Sequence, residues 1–177
     1  IYQTIASVCG LRSPHEELDL ELTPLHRIEE MASAPLNLRF LQSIVMMTGA
    51  RRVIEIGAFI GVSATYLAKV MPEDGKLVTI EKFDQFAEIC RHNFRANGVA
   101  DRIHLIQGDA FAVLSSLADE EPFDFALIDG DKGRYRQYFE MIDPLMRPGG
   151  VICVDDVFFH GDALNDQPQT DKGRGVK

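Results

Sequence analysis

The sequence predicts an α/β fold, a doubly wound and mostly parallel sheet with helices in front of it, on three observations. From residue 50 onward short β-branched runs recur with room for a helix between them. The intervening stretches carry apolar residues at helical intervals, and glycine or proline breakers fall where each helix has to stop. Such alternation permits parallel pairing with right-handed crossovers and helices on both faces. One domain over residues 1–177 is expected, with 1–49 a helical extension and 50–177 the sheet core.

Before residue 50 the chain reads as helical, with Leu38, Leu41, Ile44 and Val45 on one face and Pro14, Pro24 and Pro35 marking breaks or starts. The first strand is Arg52-Val-Ile-Glu-Ile56. Gly75 introduces the second, Lys76-Leu-Val-Thr-Ile80, after which Phe83, Phe86, Ala87, Cys90 and Phe94 mark an amphipathic helix. Asn97-Gly98 ends that helix ahead of the third strand, Arg102-Ile-His-Leu-Ile106. The fourth strand is Phe123-Asp-Phe-Ala-Leu-Ile128, followed by a helix on Tyr135, Tyr138, Phe139, Ile142 and Leu145. Pro148-Gly149-Gly150 breaks the chain before the fifth, Gly150-Val-Ile-Cys-Val154.

Composition narrows the partners. With 177 residues, 46% of them hydrophobic, the chain can bury one sizeable core. A formal charge of -9 disfavours indiscriminate binding to nucleic acid or anionic membrane. Cys9, Cys90 and Cys153 have no metal-like spacing and read as reduced core thiols, which with the lack of an apolar run of about 18 residues points to a cytoplasmic protein with no membrane contact.

Ligands of open parallel sheets bind beyond the carboxyl ends of the strands, where strand order reverses. The first strand runs into Glu55-Ile-Gly57-Ala-Phe-Ile-Gly61-Val-Ser63. Its glycines let backbone approach a ligand closely, and Ser63 offers a hydroxyl at the start of the next helix. The carboxylate of Glu55, and the lack of the tighter Gly-x-Gly-x-x-Gly spacing that seats a pyrophosphate, favour an ammonium or sulfonium group over a phosphate. Glu81, at the second strand end, is placed to take the hydroxyls of a ribose. After the third strand, Asp109 can accept from an adenine amino group and Ala110 offers its amide. Each acid alone reads equally well as a loop residue or helix cap; three strand ends in register point to a nucleoside.

These residues carry a resemblance. Val53 to Ser63, Glu81, Gln107-Gly-Asp-Ala110, Ile128-Asp-Gly-Asp-Lys132 and Val154-Asp-Asp156 resemble successive motifs of the catechol and caffeoyl-CoA O-methyltransferase family, class I enzymes that use S-adenosylmethionine (SAM). The resemblance implies a strand order 3-2-1-4-5, completed by two further strands that this chain ends before supplying, and a homodimer. It implies that Glu55, Gly57 and Ser63 hold the methionyl part of the cofactor, Glu81 the ribose, and Asp109 with Ala110 the adenine side, with Asp129 beside them. Met31-Ala-Ser33 is similar to the segment that closes over the cofactor, which adds Ser33.

Asp129 ends the fourth strand and Asp155-Asp156 the fifth, so three carboxylates are expected to converge and to repel one another unless neutralised. Hard oxygen ligands without His or Cys suit a divalent metal, magnesium above all. Many relatives carry Asn where this chain has Asp156. Lys132 falls at the family's catalytic lysine, which implies a base of depressed pKa taking the proton of a hydroxyl on a small catechol-like aromatic.

Other readings stay open. His160 reads as structural or substrate-facing. The resemblance also extends to bacterial relatives that methylate a wobble 5-hydroxyuridine in tRNA, an alternative acceptor for which Arg134, Arg136, Lys172, Arg174 and Lys177 would supply phosphate contacts. A nicotinamide-dependent oxidoreductase fits the acidic glycine loop poorly, and a SAM-binding regulator without catalysis fits the altered position 156.

Overall fold

The computed structural model describes Leu18 and residues 33–177. The helix signals ahead of residue 33, together with Cys9 and Met31-Ala32, lie outside the described residues. Helix α1, Pro35–Thr48, begins on a proline whose fixed φ suits a first helical position and ends at Gly49, which takes the left-handed conformation at φ 60°. It buries Leu38, Leu41, Gln42 and Val45. Gln42 donates through Nε2 to the carbonyl of Tyr66 at 2.7 Å, which fixes α1 on the helix after the first strand.

Five strands follow: β1 Arg52–Ile56, β2 Lys76–Glu81, β3 Ile103–Gln107, β4 Phe123–Ile128 and β5 Met146–Val154. All pairings are parallel and the order is β3-β2-β1-β4-β5, as the resemblance implied. Between them lie α2 Val62–Val70, α3 Asp84–Ala96, α4 Ala110–Ser116 and α5 Tyr135–Ile142, and α6 Asp171–Val176 closes the chain.

Strand alternation sorts the core into two layers. Val53, Leu77, Phe125 and Leu127 face α1, α2 and α3 through Val45, Leu67, Cys90 and Phe94. Ile54, Ile56, Ile80, Ala126 and Ile128 face α4 and α5 through Val113, Leu114, Tyr138 and Ile142. Both faces of the three central strands β1, β2 and β4 are therefore dry, which explains why these strands read as nearly continuous apolar runs, whereas the edge strands β3 and β5 stay partly exposed.

The boundaries differ from the sequence reading at three places. Arg102 does not start β3 but ends a 3₁₀ turn, Ala100–Arg102, because its guanidinium is held by the carbonyls of Met71 at 2.7 Å and Pro72 at 2.6 Å. Pro144 stops α5 at Ile142, so Leu145 belongs to a 3₁₀ turn. β5 starts earlier than Gly150, at Met146, and Pro148-Gly149-Gly150 forms an irregularity inside it: Phe123 pairs with Met146, whereas Phe125 already pairs with Val151. Among the described residues no helix is long and apolar enough to cross a membrane.

Candidate cofactor and acceptor site

The carboxyl ends of β1, β2 and β4 meet at one edge. Gly57 leaves β1 at φ 93°, and a Cβ there would stand 2.2 Å from the backbone oxygen of Asp129, so only glycine lets the two strand ends approach this closely. Its amide donates to the carbonyl of Ile80 at 3.0 Å, and the amide of Asp129 donates to Ile56 at 2.9 Å. A small open cleft lies above, lined by Ser33, Gly57, Ala58, Phe59, Val62, Ser63 and Asp129.

Glu55 lies fully buried next to this cleft. The hydroxyl of Thr79, its register partner on β2, donates to Oε2 at 2.5 Å, while Oε1 has no hydrogen-bond partner. Ser63 also faces the carboxyl. Loss of water pushes the Glu55 pKa up to about 7, with Ser63 and Thr79 holding it down and the charges of Asp129 and Glu81 adding to the rise. A buried carboxyl with an orphan oxygen is a receptor for a cationic donor.

Glu81 is also buried, and burial raises its pKa against the pull of backbone amides. Oε2 accepts from the amide of Phe59 at 2.8 Å and Oε1 from that of Phe83 at 2.9 Å. Glu81 thereby holds the glycine loop, in which Phe59 itself sits at φ 50°, and keeps a further lone pair on each oxygen for a ligand. Asp109 is more exposed. It caps α4 by accepting from Phe111 N at 3.1 Å and pairs with Lys82 Nζ at 3.3 Å. The Phe111 amide, then Lys82, hold its pKa below the usual carboxylate range. Ala110, next to it, is buried. The structure thus gathers Ser33, Gly57, Ser63 and Asp129 around one cleft with Glu55 and Glu81 next to it, and leaves Asp109 and Ala110 beyond its lining.

On the other side of Asp129 stands a charged cluster. Lys132, in the 3₁₀ turn Lys132–Arg134, directs Nζ to within 3.2 Å of Asp156 Oδ2 and 3.8 Å of Asp129 Oδ1. The same nitrogen donates to the hydroxyl of Tyr135 at 3.3 Å, and that hydroxyl donates to the backbone oxygen of Asp155 at 3.0 Å. Burial first, then the negative charges of Asp155 and Asp156, push the Asp129 pKa up to about 6, with Lys132 and Asp155 acting in opposite directions. Asp156 adopts φ 51°, a conformation that Asn and Asp tolerate better than most residues.

The three carboxylates converge less tightly than the sequence reading supposed. Among the described residues no group of three or more His, Cys, Asp or Glu is gathered closely enough to hold a metal ion. The physical reason is local: the Lys132 ammonium stands between Asp129 and Asp156, and Asp155 Oδ1 turns back to accept from Asp156 N at 2.7 Å. The donor set is still all hard oxygen, and three acids against one ammonium leave a net negative site.

A family described as O-methyltransferase matches residues 13–176. The chain belongs to that family. Caffeoyl-CoA O-methyltransferase from Populus kitakamiensis is 36% identical to this O-methyltransferase chain over 126 residues, 70% of this chain and 54% of that protein. Catechol O-methyltransferase from Niastella koreensis is 30% identical over 141 residues, 78% of this chain and 64% of that protein. The chain spans between half and two thirds of the length of these curated relatives. Among solved structures, the O-methyltransferase from Bacillus cereus in complex with SAH shares 29% identity at a TM-score of 0.79 and covers 99% of this chain and 73% of its own. One from Streptomyces achromogenes in complex with SAM shares 29% at a TM-score of 0.84, with coverages of 98% and 78%.

Two residues that shape this site escaped the sequence reading. Thr79 sits directly opposite Glu55 in the β1–β2 register, a position that strand alternation identifies once the acid is singled out. Tyr135 follows Lys132 by three residues, a spacing that puts both on one side of the turn.

Proposed function

We propose that this chain is the cofactor-binding and catalytic part of a SAM-dependent O-methyltransferase acting on one of two adjacent hydroxyls of a small aromatic. The observation that carries the reading is that Asp129 belongs to both halves: it lines the cleft beside Glu55, Gly57 and Ser63, and it pairs with Lys132 on its other side. The family and the relatives' names support the activity, and the orphan oxygen of Glu55 fits a cationic amino acid end.

SAM, when bound, would supply an electrophilic methyl; Asp129, Asp155 and Asp156 would hold a divalent cation only once Lys132 and the Asp156 amide give up their carboxylates, and that cation would supply Lewis acidity. Gly57 and Ser63 would hold the methionyl end, with Glu55 opposite its ammonium. Glu81, already fixed by two amides, would take the ribose, Asp109 and Ala110 the adenine side, and Ser33 would cover the cleft. Lys132, in its uncharged amine form, would take up the proton of the acceptor hydroxyl and become the ammonium that Asp156 and Asp129 pair with, while Tyr135 holds its nitrogen in place. The residues contribute alignment, exclusion of water and one proton transfer.

Calorimetric titration with SAM, followed by methyl transfer to 3,4-dihydroxybenzoate with and without magnesium, tests this. Binding in the micromolar range and magnesium-dependent transfer are expected. No SAM binding would overturn the cofactor assignment; transfer to undermodified tRNA but to no catechol would overturn the acceptor class; full transfer in EDTA would overturn the metal.

A further inference from the structure

Residues 157–177 fold back onto the turn that carries Lys132. Phe159, His160 and Gly161, at φ 37°, 55° and 88°, reverse the chain just after the Asp155-Asp156 pair. Such a run of left-handed residues persists only where its surroundings hold it. The carboxylate of Asp162 does so. It accepts from the amides of Gln169 at 2.9 Å and Thr170 at 3.0 Å, from the Thr170 hydroxyl at 2.6 Å and from Asn165 Nδ2 at 3.2 Å. Thr170 Oγ1 in turn accepts from Gly173 N at 2.9 Å and caps α6. Lys177 Nζ donates to the carbonyls of Asn165 at 2.6 Å and Asp166 at 2.9 Å, which closes the segment on itself.

The closed segment bears on the Lys132 turn through α6. A Cβ on Gly175 would stand 2.3 Å from the Lys132 carbonyl oxygen and 2.5 Å from Gly133 Cα, distances that side-chain carbons do not adopt. A Cβ on Gly173 would stand 2.1 Å from Asp162 Oδ2. The turn is thus held from two sides, by Asp131 Oδ1 accepting from Gly133 N at 3.1 Å and by the bare backbone of α6. Val176 adds apolar contact with the cluster that contains Tyr135 and Tyr138.

We propose that the Asp162-pinned segment is a positioning element for Lys132, and that Gly175 is the contact through which it acts. The reactive nitrogen lies at the end of a long side chain, and a shift of about 1 Å in its anchoring backbone is enough to cost orders of magnitude in rate. The catalytic arm of the test rests on the proton-acceptor role of Lys132 given above; the structural arm does not.

Gly175→Ala and Asp162→Ala, both in the full chain, test the proposal against Gly98→Ala. Gly98 has φ 67° and open space around it. Acetylation of each lysine by acetic anhydride is followed by mass spectrometry, with the exposed Lys82 as internal reference. Gly175→Ala is expected to raise the Lys132 rate at least threefold and to lower kcat for 3,4-dihydroxybenzoate about tenfold, with KM and the Kd for SAM within twofold. Asp162→Ala moves both quantities in the same direction by less, and Asp162→Asn, which keeps the shape and one acceptor oxygen, restores part of the loss. Should Gly175→Ala not fold, the Asp162 pair, which adds no bulk, decides. A Lys132 rate equal to that of Gly98→Ala in both Gly175→Ala and Asp162→Ala overturns the proposal, whatever happens to kcat. Full activity of Lys132→Met overturns the proton-acceptor role instead and leaves the acetylation result to judge positioning.

Discussion

The two halves of the site are held together by different forces. Around Glu55 and Glu81 the groups are buried, and Glu81 is fixed by two backbone amides that ordinary fluctuations do not move. Around Lys132 the partners are side chains, and Asp156 is 46% exposed. The first half is held by buried carboxyls and backbone amides, suited to a ligand of constant shape; the second is an ion-pair network whose geometry answers to salt, pH and whatever enters it.

The largest effect is expected at the side-chain half. Lys132→Met should lower kcat by about 10²-fold or more while leaving the SAM Kd within twofold, because the lysine meets the cleft only through Asp129 and does not itself line it. Equal losses in kcat and SAM affinity would show that the two halves are not separable.

At the buried half the leading effect is on stability. The Glu55 pKa stands at about 7 in the fold against an ordinary 4.5, so between those values the native state holds a proton that the unfolded chain has released. Stability conferred by the neutral carboxyl is therefore complete at low pH and lost as pH rises through 4.5 to about 7. Glu55→Gln should flatten that slope and gain up to roughly 3 kcal/mol at pH 8 relative to the parent, while weakening SAM binding. Chemical denaturation at pH 5 and pH 8 measures it, and parallel curves for parent and variant would refute the assignment.

Tyr135→Phe removes the hydroxyl that links Lys132 Nζ to the Asp155 carbonyl. A three- to tenfold fall in kcat and a loss of about 1 kcal/mol in stability are expected from steady-state rates and urea unfolding. The smallest effect is that of salt. Raising KCl from 0.05 to 0.5 M should lower kcat about twofold by screening the Lys132–Asp156 pair, with no matching change in the calorimetric Kd for SAM beyond that of the ligand's own charge.

How far the sequence revealed this molecule follows the same division. The central strands were legible because their apolar runs are buried on both faces, and the loop that follows β1 brings Gly57 and Ser63 to the cleft with Glu55 beside it, where the sequence reading put them. Asp109, read as an adenine partner, also caps α4, a role open to any Asp before a helix. The tightness of the acidic cluster was overestimated because strand ends fix where the backbone of Asp129, Asp155 and Asp156 arrives, whereas Lys132 and the Asp156 amide decide where the carboxylates turn. The role of Asp162, Gly173 and Gly175 was not legible at all. In a stretch as polar as Asp171-Lys-Gly-Arg-Gly175 glycines read as breakers, and only packing shows that they make room.

Cys90 reports on the glycine loop through the position of its sulfur. It is buried against the carbonyl of Phe59 at 3.0 Å, underneath the loop that Glu81 holds, and burial, with the Glu55 and Glu81 charges, pushes its thiol far above the usual range. A thiol in that state does not react with an alkylating reagent until the loop lifts. Its modification rate is thus a native clock for loop opening, readable without any introduced label, and a ligand that seats beneath Phe59 should slow it in proportion to occupancy.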